Sequence, residues 1–94
     1  MPTNAERTRF VFGDRGYYEG FEYHFDTSEV IMCSAIAALL AKGWYVDIEG
    51  APGWGYTVSL TPPECDGKDG YNALTLPAAF VAALDKAMER EKAT

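Results

Sequence analysis

Two amphipathic helical patterns, a series of short runs in which aromatic and β-branched residues alternate with polar ones, and a length of 94 residues predict an α+β fold. The expected architecture is one domain over residues 1–94. An antiparallel sheet of four or five strands would carry two helices on one face, in the order strand, strand, helix, strand, strand, short strand, helix. With 48% apolar residues and thirteen aromatics, the chain has enough apolar surface for a core without disulfide support.

Residues 8–12, Thr-Arg-Phe-Val-Phe, read as a short strand, and the turn-rich Gly13-Asp14-Arg15-Gly16 leads into Tyr17-Tyr18-Glu19-Gly20 as a hairpin. Phe21, Tyr23 and Phe25 alternate with Glu22 and His24, which predicts a half-buried strand with its aromatics inward. Asp26 followed by Glu29 has the spacing of a capping box, and Phe25 with Val30 that of a hydrophobic staple. A helix is therefore predicted over Thr27–Lys42, stopped by Gly43. Its bulky stripe is Met32, Ile36, Leu39 and Leu40, and its small side is Ser34, Ala37, Ala38 and Ala41.

Trp44, Val46 and Ile48 alternate with Tyr45, Asp47 and Glu49, while Trp54, Tyr56, Val58 and Leu60 alternate with Gly55, Thr57, Ser59 and Thr61. Joined by Gly50-Ala51-Pro52-Gly53, these two runs predict an antiparallel hairpin. Pro62-Pro63 ends the second strand, because a proline has no N–H to give to a ladder. Asn72 to Leu76 suit a short edge strand. Pro77 opens the last helix, whose apolar stripe is Phe80, Leu84 and Met88, with Val81, Ala83 and Ala87 beside it.

The charge is unevenly placed. From Asp14 to Asp69 ten carboxylates face three bases, Arg15, Lys42 and Lys68, and this segment holds the whole excess behind the net charge of −6. Such a balance repels phosphate backbones and anionic lipid, so neither direct nucleic-acid binding nor membrane binding is expected. The uncharged runs, Val30 to Ala41 among them, fall short of the roughly 20 residues a spanning helix needs. The first residues carry no basic segment followed by an apolar one, so no signal peptide is expected, and two cysteines read as free thiols fit a cytoplasmic protein.

Few residues combine into recognisable chemistry. Glu22, His24, Asp47 and Glu49 would share the outer sheet face with Tyr45, Thr57 and Ser59, a set that suits either a divalent metal with acid–base catalysis or a plain solvated face. Cys33 reads as a small buried hydrophobe among Met32, Ala35, Ile36 and Ala37, and the acids flanking Cys65 suppress its thiolate. The Asp66-Gly67-Lys68-Asp69-Gly70 loop lacks the acids of a calcium loop, since Lys68 stands at a ligand position and Pro77 at that of the closing glutamate. Gly50, Gly53 and Gly55 connect strands and open no helix, so they read as turn glycines and not as a phosphate cradle. Neither a metal nor any other cofactor is expected.

The aromatics near turns, Tyr17, Tyr18, Trp54 and Tyr71, are not forced inside by periodicity, and such rings beside acids are common anchors in protein interfaces. The expected function is a non-enzymatic protein-binding module whose acidic face docks on a basic surface of another protein. Its partner-binding residues are Asp14, Tyr17, Tyr18, Glu19, Glu22, Tyr45, Asp47, Glu49 and Trp54. In size, acidity and lack of catalytic motifs the chain resembles the small inhibitors of phages and mobile elements, including anti-CRISPR and DNA-mimic proteins. That resemblance implies a partner surface built to bind nucleic acid. The alternatives are a small metal-dependent enzyme on the Glu22, His24, Asp47 and Glu49 face, and a ligand-binding or homodimeric accessory domain using the small side of the first helix or the aromatic loops.

Overall fold

The computed structural model describes residues 2–13, 21–64 and 70–93, without the side chains of Phe21, Glu22, Lys92 and Ala93. Among the described residues the order is α1 (Asn4–Phe12), α2 (Phe21–His24), α3 (Glu29–Ala41), β1 (Tyr45–Ala51), β2 (Gly55–Thr61), β3 (Gly70–Ala73) and α4 (Leu76–Ala93). The class is α+β, but the sheet has three antiparallel strands and not four or five, and helices replace the first two predicted strands. The hairpin expected from residues 8–12 to 17–20 loses its first strand to α1, and residues 14–20 lie outside the described residues.

Residues 8–12 belong to α1 because the chain is capped before them. The Thr3 hydroxyl accepts from the Glu6 backbone N–H at 3.1 Å, and the Glu6 carboxylate accepts from the Thr3 N–H at 3.3 Å. This reciprocal box satisfies two donors that a helix start otherwise leaves open. Arg7, Thr8 and Val11 then form the buried side of the helix, a spacing of one and three residues that a strand would split between two faces. At the other end Gly13, at φ 70°, donates to Arg9 O at 2.8 Å, and Lys42 Nζ reaches the carbonyls of Phe10 and Val11 at 3.3 and 2.5 Å.

The alternating run at 21–25 is also helical. Residues 21–24 make the single turn α2, closed by Thr27 and Ser28 N–H bonds to His24 O at 3.0 and 2.8 Å. Phe25 is buried against Phe80, but Tyr23 is 73% exposed, so the aromatics do not share one inward face. The N-cap of α3 is Ser28 and not Asp26: its hydroxyl accepts from the Ile31 N–H at 3.2 Å. Val30 is 78% exposed and forms no staple with Phe25. The core face of α3 is formed by Ile31, Met32, Ala35 and Leu39, whereas Leu40 is exposed and Cys33 is an exposed free thiol where a buried one is predicted.

The end of α3 follows the sequence reading. Gly43, at φ 90°, donates to Leu40 O at 3.0 Å and Trp44 donates to Leu39 O at 3.1 Å, the paired bonds of a Schellman motif. Trp44 is thereby delivered into the core, edge-on to Phe10. In the hairpin that follows, Val46 pairs with Leu60, Ile48 with Val58, and Glu49 with Thr57. Trp54 belongs to the turn and not to β2, because its N–H closes a bond to Ala51 O at 3.1 Å around Pro52 and Gly53, the Pro-Gly signature of a type II turn. The edge strand β3 occupies 70–73 and not 72–76. Thr75 caps α4 by accepting from the Ala78 N–H at 3.3 Å, so the chain leaves the sheet before Leu76.

Helix α4 lies across β2 and β3, with Ala79, Phe80, Ala83, Leu84, Ala87 and Met88 buried, while α3 reaches β1. The inner sheet face supplies Val58 and Leu60 to this core. Its outer face carries Tyr45, Asp47 and Glu49 from β1, Thr57 and Ser59 from β2, and Asn72 from β3. Ser59, predicted on the wet side, is buried.

Candidate protein-docking face

Strand alternation places Tyr45, Asp47 and Glu49 on one side of β1. Tyr45 is 69% exposed, Asp47 is half-buried and Glu49 is exposed. No lysine or arginine occurs in β1, β2 or β3. Several cations of the helices are engaged elsewhere: Arg7 with Asp85, Lys42 with the end of α1, and Lys86 within 3.7 Å of Glu89.

At the far end of this face stands Trp54, 78% exposed. The turn that carries it is tied to the sheet by Asn72, whose amide donates both to Trp54 O and to Thr57 Oγ1 at 3.1 Å. Glu49, Trp54, Thr57 and Asn72 line one shallow depression of about 170 Å³. An anchored turn presenting an exposed indole beside a carboxylate has the make-up of an interface hot spot. The contribution of Asn72 is not visible in the sequence, because only the β2–β3 register brings it opposite Thr57.

Of the nine residues predicted to bind a partner, Tyr45, Asp47 and Glu49 share one face of β1, and Trp54 stands beside Glu49 at its hairpin end. Asp14, Tyr17, Tyr18 and Glu19 lie outside the described residues, as does the side chain of Glu22. The four-residue metal or acid–base face does not form as predicted, since Glu22 and His24 sit on α2, which packs against α1, and not on a strand beside β1. Among the described residues no group of three or more histidine, cysteine and acidic side chains is placed to hold a metal ion. Cys65 and residues 66–69 of the glycine-bearing loop are likewise outside the described residues.

A larger concavity, of about 570 Å³, lies between the start of α1 and α4, with Tyr71 and Met88 in its wall. Its acid Asp85 is held by Arg7 at 2.7 Å and so is committed to the fold. Burial of the pair raises no conflict: the Asp85 hydrogen bond pushes the Arg7 guanidinium above its ordinary pKa, against the opposing effect of desolvation.

Among the described residues no helix is long and apolar enough to cross a membrane. In comparisons with known proteins, no family model, no curated protein and no solved structure matches the chain.

Proposed function

We propose that this protein is a non-enzymatic binding module that docks the outer sheet face, Tyr45, Asp47, Glu49 and Trp54, on a basic surface of another protein. The observation that carries the reading is the presence, on a sheet without lysine or arginine, of the half-buried Asp47 and the exposed Glu49 of β1 with aromatics at 69% and 78% exposure. Opposite charge speeds encounter and sets orientation, and the rings supply desolvated area once contact is made. A partner surface built for phosphates meets the same requirement, which favours a cytoplasmic inhibitor of the DNA-mimic or anti-CRISPR kind, acting without a cofactor and without itself touching nucleic acid or membrane.

The test is charge reversal on two sides of the molecule. A captured partner should be displaced by duplex DNA, and D47K/E49K should slow association and flatten its salt dependence. K86E/R90E on α4 should leave association unchanged. Equal association by the wild type and D47K/E49K would remove the acidic face from the interface.

A second reading rests on α3. Val30 is 78% and Leu40 53% exposed, and the run from Val30 to Ala41 carries no charge, so two copies could meet there without like-charge repulsion. Sedimentation of wild type and L40E distinguishes it: a dimer lost in the variant supports self-association through α3.

A further inference from the structure

The sheet order is β1-β2-β3, so β1 has one edge with no strand of the described residues beside it. Ile48, Glu49, Gly50 and Ala51 are all exposed, and neighbouring residues of a strand point to opposite faces. The strand is therefore open on both sides at its hairpin end. An open edge presents a row of unpaired N–H and C=O groups, a template for another strand. Building on the docking reading above, we infer that the β1 edge takes up an extended basic segment of the partner as an added strand.

The occupant follows from the residues of β1. A second copy is disfavoured: antiparallel two-fold pairing centred on Ile48 sets Glu49 opposite Asp47, and pairing centred on Glu49 sets it opposite itself. Like charges directly across a ladder destabilise it. A segment with lysine or arginine at alternate positions meets Asp47 and Glu49 with opposite charge on the outer face. The apolar residues between them fall on the inner face against Ile48, which is 41% exposed beside the fully buried Val58 it pairs with. The added strand extends the layer that Val58 and Leu60 already form with α4. Main-chain bonds hold the segment, and the alternate side chains select it.

The probe is a capped eight-residue peptide of alternating lysine and valine, titrated into the full chain and followed by amide hydrogen exchange and chemical shift. Exchange of β1 amides should slow, and the same peptide N-methylated throughout, with its charge kept and its ladder donors gone, should bind at least roughly tenfold more weakly. A glutamate–valine peptide should not bind. If the N-methylated peptide binds as well as its parent, charge alone holds it: the added strand is overturned while the acidic face stands. If E49K leaves lysine–valine binding unchanged, the acidic face falls and the basic occupant with it. Absence of binding by the parent peptide also overturns the inference.

Discussion

Arg7 and Asp85, 78 positions apart, meet in a two-pronged ion pair in which the Arg7 Nε and one terminal nitrogen each lie 2.7 Å from a carboxylate oxygen. The side chains are only 8% and 16% exposed, so both charges depend on each other for solvation. Arg7 also donates to Asn4 Oδ1, and the Asn4 amide donates to Asp26 Oδ1 at 3.1 Å, so one polar chain connects α4, α1 and the α2–α3 linker. Removing a single partner leaves a buried charge without its counterion. D85A should therefore lower stability by about 3–5 kcal/mol, whereas R7M/D85L should cost less than the sum of R7M and D85L. Urea denaturation of the four proteins measures the coupling; additive losses would show that the pair is no unit.

Lys42 ends α3 and at the same time caps α1, its ammonium 2.5 Å from the Val11 carbonyl. A cation there satisfies open carbonyls and opposes the negative end of the helix dipole. K42A should cost about 0.3–1 kcal/mol, less at high salt, and amide exchange should quicken first in α1. A uniform rise over the whole chain would show that the contact does not act on α1.

Three glycines at positive φ separate backbone strain from collision. A Cβ at Gly53 would meet nothing within 4 Å, one at Gly43 would touch Pro63 Cγ at 3.4 Å, and one at Gly55 would sit 2.4 Å from the Ala73 carbonyl oxygen. G53A and G43A should each cost about 1–2 kcal/mol from the left-handed conformation alone. G55A should cost more than either, because β3 must move away from β2. Thermal unfolding orders the three, and a G55A variant as stable as G53A would contradict the close approach of Ala73.

The parts of the fold legible in the sequence are those whose signals are local and unopposed. Gly43 with a following Trp44, the Pro52-Gly53 turn and the Phe80, Leu84, Met88 stripe each admit one reading, and the structure has them. The failures fall where two patterns compete. Phe10-Val11-Phe12 has strand composition, yet Thr3 and Glu6 just upstream have capping-box spacing, and a cap that satisfies helix donors outweighs β-propensity, which depends on a neighbouring strand. Asp26, Thr27 and Ser28 all suit an N-cap, and the structure uses Ser28; the helix that follows is apolar on nearly every side, so periodicity does not single out its core face, and Cys33 and Leu40 come to the surface. On the candidate face, Tyr45, Asp47 and Glu49 follow from alternation, but the link from Asn72 to Trp54 joins positions 18 apart and needs the sheet register.

Leu39 and Glu49 keep defects of folding apart from defects of binding. Leu39 is 1% exposed among core side chains, and its carbonyl also accepts the Trp44 N–H that closes the Schellman motif. L39A keeps that carbonyl and removes only the side chain, so the cost is that of a cavity, about 2–5 kcal/mol, a large share of a small domain's margin. Glu49 is exposed on β1, and E49A should change stability by no more than about 0.5 kcal/mol. Chemical denaturation of both, read beside partner affinity at a temperature where both are folded, should show L39A destabilised but binding normally and E49A stable but binding weakly. If E49A unfolds as readily as L39A, Glu49 supports the fold, and its loss of binding can no longer be assigned to the docking face.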